Sequence, residues 1–79
     1  MTETNATSPE LLETISAASH DGWMKGKAAQ GIASRKSEWS EELMVPYDQL
    51  SEKAKDLDRA GIASVLAAID QAGFQIVAK

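Results

Sequence analysis

Pro46 divides this chain near its middle, in the run Val45-Pro46-Tyr47. Its ring removes a backbone donor and pushes the preceding residue into an extended conformation, so no helix passes through this point. Any helices must lie on either side. With 79 residues in all, each side has room for one helix and part of a connection, and the whole makes one small domain.

On the N-terminal side, residues 1–7 are polar, lack apolar periodicity and read as a flexible tail; the single domain spans 8–79. Ser8-Pro9-Glu10 is a helix start: serine accepts from exposed amides, proline suits the first helical position, and glutamate favours the positive end of the helix dipole. The helix is expected from Pro9 to between Lys25 and Ala29. At ~100° per residue its apolar face holds Leu11, Leu12, Ile15, Ala18, Ser19, Gly22 and Trp23, with Gly26 beside them. Ser19, Gly22 and Gly26 are small, and a close helix crossing would offset the poor helix propensity of glycine.

From Gly31 to Gln49 the pattern is irregular, and Gly31 to Arg35 reads as a short strand or a turn. Trp39, Leu43, Met44, Val45 and Tyr47 are apolar anchors for a connection of this length, which is usually functional or self-packed. Ser51 caps a second helix from Glu52 to about Ala72, and Gly73 stops it. Ala54, Leu57, Gly61, Val65, Ala68, Ile69 and Ala72 share an arc of ~120°, and Gly61 and Ala68 offer the matching surface for a close crossing. Asp58 falls inside that arc, and Arg59 lies at its border. Phe74 to Val77 alternates like a short strand that could pair with the Ile32 region or with another subunit. The expected fold is α+β and mostly helical: two antiparallel helices, a long irregular connection and short β elements.

Cysteine is absent, which excludes disulfides and thiolate metal sites and suits a reducing cytoplasm. The start has neither the basic nor the apolar region of a signal peptide, and the apolar runs are too short to span a bilayer. A cytoplasmic protein without membrane contact is therefore expected. The net charge of −4 argues against sequence-independent nucleic-acid binding. Lys25, Lys27, Arg35 and Lys36 form a local basic set, read as solvated side chains or as a mouth for one anionic ligand.

Catalysis is not expected. His20 is the sole histidine, and the sequence shows no nucleophile elbow, phosphate loop or metalloprotease spacing, so no metal or cofactor is implied. His20 is read instead as a structural anchor bonded to a backbone carbonyl or to Asp58. Asp58 must find donors or hold a proton, because a buried unpaired carboxylate costs several kcal/mol. Its candidate partners are amides in the Gly31–Arg35 segment, the Trp23 indole, the Tyr47 hydroxyl, Arg35 and His20; in this reading Asp58 anchors the connection to the second helix.

These residues resemble the ryanodine-receptor repeat, or RyR domain, over about Ile15 to Val77. The resemblance rests on His20-Asp21-Gly22-Trp23, on Gly31 with Arg35 following, and on Val45-Pro46-Tyr47-Asp48-Gln49-Leu50-Ser51 running into Lys55-Asp56-Leu57-Asp58-Arg59. Ile32 stands where the family commonly has a second tryptophan, Ser34 where a glycine often follows, and Glu41-Glu42 where it has His-Pro. The resemblance implies a helical pair with short strands, and a stand-alone prokaryotic or phage member without enzymatic activity. It also implies the sensing of a ligand, nucleotide-like in particular. Trp23, Arg35, Tyr47 and Arg59 are the candidate ligand-binding residues, combining a flat ring with cations. The alternative is an interaction module using Trp39, Met44 and the C-terminal strand. Since family members occur as tandem pairs, a lone domain is expected to pair with itself as a homodimer, which would also bury apolar surface that so short a chain needs.

Overall fold

The computed structural model describes residues 8–79, so the tail expected over residues 1–7 lies outside the described residues. Two helices dominate: α1 over Pro9–Ala29 and α2 over Glu52–Gln71, with a short 3₁₀ turn over Tyr47–Gln49 between them. The Ser8 hydroxyl accepts from the Leu11 amide at 3.5 Å, and the Ser51 hydroxyl from the Ala54 amide at 3.1 Å. Both helices end in the same way. Gly31 and Gly73 take left-handed φ values of 79° and 91°, which glycine adopts without a Cβ penalty. The following amides then reach back: Ile32 donates to the Lys27 carbonyl at 3.0 Å and Phe74 to the Ile69 carbonyl at 3.1 Å. No helix among the described residues is long and apolar enough to cross a membrane.

The connection is held by carboxylates more than by strands. Lys36 and Glu42 form one isolated antiparallel bridge, and Leu43 donates to the Arg35 carbonyl at 2.7 Å. The Glu42 carboxylate accepts from the Ser34 hydroxyl, from the Arg35 amide at 2.9 Å and from the Met44 amide at 3.0 Å. Glu41 reaches the cap of α2, accepting from the Ser51 amide at 2.8 Å, the Ser51 hydroxyl at 2.6 Å and the Trp39 indole at 2.7 Å. Tyr47, Leu50 and Ala54 form the buried apolar centre, with Ala17, Trp39, Leu43 and Val45 packed around it.

Two expectations need correction. Phe74–Val77 forms no strand among the described residues, because the helix-ending turn claims the Phe74 amide. The helix faces also differ. The inward side of α1 carries Glu13, Ser16, Ala17 and His20, and that of α2 carries Ala54, Asp58, Arg59, Ile62 and Leu66. These sides are rotated from the apolar arcs read off the wheel, by about 140° in α1 and about 80° in α2. Gly22, Gly26 and Gly61 consequently lie on exposed surface, where an added Cβ would meet nothing within 4 Å. There is no close glycine crossing.

Gly22→Ala should therefore stabilise the domain by about 0.5–1 kcal/mol, the ordinary helix-propensity gain. Denaturant melts of the two proteins check this; a loss of stability would mean that Gly22 does meet a neighbour.

Candidate functional site

The C-terminal half of α1, the start of α2 and the connection enclose a cleft of about 310 Å³. From α1 come Ser19, His20 and Trp23, one helical turn apart on adjoining rows; from α2 come Ala54, Leu57 and Asp58, in the same relation. Leu43 and Leu50 close it from the connection. Trp23 lies against His20 with ring centroids 5.5 Å apart, and His20 in turn lies 6.2 Å from the Tyr47 ring. The walls are thus mainly apolar and aromatic, with three polar groups converging.

His20 organises those groups. Its Nε2 lies 2.8 Å from the Val45 carbonyl oxygen, a partner that only accepts, so Nε2 carries a proton and donates it. Nδ1 then faces Asp58 Oδ2 at 3.4 Å. That is too long for a good hydrogen bond, and Oδ2 is buried with no other donor within reach. The contact is attractive when one proton sits between ring and carboxylate. Burial pushes the Asp58 carboxyl above its ordinary value, and the neighbouring His20 opposes that rise. Asp58 therefore presents a half-buried, under-satisfied acceptor at the edge of the cleft.

Of the four residues expected to bind ligand, Tyr47 and Arg59 meet at the Glu13 carboxylate, but Trp23 and Arg35 do not join them. Trp23 lines the cleft. Tyr47 is buried in the core and its hydroxyl donates to Glu13 at 3.2 Å. Arg59 is committed elsewhere: its guanidinium donates to Glu13 at 2.7 and 3.1 Å, to Glu52 at 3.1 Å and to Asp56 at 2.7 Å. Arg35 is exposed on the connection, which Glu42 holds through the Arg35 backbone amide. Of the basic set, Lys36 lies 3.7 Å from Glu42, and none of the four lines the cleft. Trp39 packs on the core under Lys53, whose ammonium is 4.3 Å from the ring centroid, and Met44 is half-buried.

Of the expected anchors, His20 holds the connection directly, whereas Asp58 reaches it only through His20. Glu13, Glu41 and Glu42 are the organising residues that sequence reasoning missed. Among the described residues no group of three His, Cys, Asp or Glu side chains could hold a metal ion.

A family model of the RyR domain matches residues 2–78. The chain belongs to the RyR domain family. No curated protein and no solved structure matches it significantly.

The carboxylates set a pH dependence of opposite signs. Hydrogen bonds from Ser34, Arg35 and Met44 hold Glu42 down to about 2 from its ordinary 4.5. A depressed folded-state value contributes stability above pH ~4.5 that is lost as the pH falls toward ~2. Glu13, lowered by Arg59, and Glu41, lowered by Ser51, act in the same direction. Asp58, being raised, instead opposes folding as it ionises. Glu42→Gln should flatten the acid limb of a stability–pH profile; a limb parallel to that of the wild type would contradict this role.

Proposed function

We propose that this RyR domain is a non-enzymatic binding module whose cleft takes a flat, nucleotide-like ligand by its ring rather than by its phosphates. One observation carries the reading: Trp23 and the under-satisfied Asp58 carboxylate share one small, largely apolar cleft, and no lysine or arginine lines it. A concave apolar site with a few convergent polar groups and a perturbed acid is the usual form of a small-molecule site. The indole offers a face for stacking, and Asp58 accepts from ring N–H or amino groups. A phosphate beside Asp58 would meet like charge, so the anionic part of such a ligand points out of the cleft. Of the basic set, Lys25 and Lys27 belong to α1 and Arg35 and Lys36 to the connection, and none plays a part in ring recognition.

A second reading, an interaction or oligomerisation module, draws on a different surface. Large apolar side chains are exposed on α2 and beyond it. The two readings do not compete for the same residues, apart from Leu57 at the rim of the cleft.

A thermal-shift series with nucleosides, their mono- and triphosphates, and sulfate tests the ligand reading. Ligand at ~100 times its dissociation constant stabilises by ~2.7 kcal/mol, a readily visible shift in a small domain. One base should shift the melt equally as nucleoside and as nucleotide, and Trp23→Ala or Asp58→Asn proteins that still fold should lose the shift while Arg35→Ala keeps it. A shift that grows with phosphate number, or that sulfate reproduces, would place binding on the basic surface. No shift with any base would remove the nucleotide-like ligand.

A further inference from the structure

The polarity of α2 is inverted. Its inward side holds Asp58 and Arg59 beside Ile62 and Leu66, whereas its outer arc of ~140°, from Ala60 through Leu57 to Val65, has no charged residue between Leu57 and Ala72. That arc is solvent-exposed throughout, with Leu57 at 62 % and Val65 at 55 % of full exposure. Phe74 at 70 % and Val77 at 61 % follow directly after the helix. Helices that face water on one side normally carry their charges there. The inner core, meanwhile, is thin: among the described residues only Tyr47, Leu50, Ala54 and Leu66 are buried apolar side chains. Domains of this size commonly need a further source of burial, and association is one.

We infer that two copies of this chain pair through the outer arcs of α2, antiparallel, about a two-fold axis near Ser64 and Val65. Three features single out a second copy as the occupant. The arc is self-complementary in size: this register sets Leu57 opposite the partner copy's Ala72, and Gly61 opposite its Ala68, so each bulky side chain meets a small one. Each copy carries a net charge of −4, and a charge-free arc lets the two meet without like charges in contact. With Phe74 and Val77 added to the arc, the exposed apolar side chains on two copies give on the order of 1,000 Å² to cover, the lower limit for a specific interface. The same register carries the partner copy's helix end, followed by Phe74, toward Leu57 at the rim of the cleft. The pairing stands whether or not the cleft binds a nucleotide-like ligand.

Sedimentation of the wild type and Val65→Glu from micromolar to millimolar concentration tests the pairing, with melts run alongside. The expected result is a wild-type dimer whose dissociation constant rises more than ~10-fold in the variant. A second probe does not depend on how Val65→Glu folds. The chain has no cysteine, so single cysteines report cleanly: oxidised Ser64→Cys should cross-link to its own copy, whereas Ala72→Cys, ~22 Å from its counterpart in this register, should not. A monomer at millimolar concentration, a dimer indifferent to Val65→Glu, or cross-linking at Ala72 rather than Ser64 would each overturn the proposal.

Discussion

The hydrogen bond from His20 to the Val45 carbonyl ties together three parts of the chain that sequence places far apart. It leaves α1, ends on the residue that Pro46 holds extended, and the same ring touches Asp58 of α2. Val45 cannot place its carbonyl in a helix, because proline follows it. A buried imidazole supplies the donor instead. Tyr47 and Leu50 then sit down beside Ala54 as the apolar centre, and the 3₁₀ turn delivers Ser51 to the start of α2. Without His20 the connection would have no tie to α1 at this point, and Asp58 would be left with neither a donor nor a proton partner.

The interior that results is polar for so small a domain. Glu13 and Arg59 pair across the helices, His20 meets Asp58, and Ser16 is fully buried. The largely buried His20–Asp58 contact is costly to break, whereas the part-exposed Glu13–Arg59 pair is modest in net stabilisation and mainly fixes how the helices face each other. Two consequences follow. An interior carboxylate at the edge of a cleft is available to a ligand that brings its own donors. The apolar residues that would normally fill an interior are displaced to the outer arc of α2, where another molecule can cover them.

Local chemistry was legible in the sequence. Ser8, Pro9, Ser51 and Gly73 act through their immediate neighbours, and the helix limits they imply agree with those observed. The facing of the helices was not legible. An apolar arc is read as inward on the assumption that a domain buries its own hydrophobic surface, and here Leu57, Gly61 and Val65 point outward. The Glu13–Arg59 pair spans 46 positions, beyond any local rule. Glu41 and Glu42 left a weaker trace: two carboxylates among serines and free amides, in a stretch too short to pair as strands. Asp58 stood out because it interrupted an apolar arc, and its contact with His20 was among the partners foreseen.

Long-range proton–nitrogen NMR of the imidazole tests the central tie most directly, since His20 is the chain's one histidine. The account predicts a proton fixed on Nε2 and protected from solvent exchange, and an Nδ1 resonance that moves in Asp58→Asn while the Nε2 proton persists. A ring averaging freely between tautomers, or one protonated on Nδ1 alone, would mean that His20 does not hold the Val45 carbonyl.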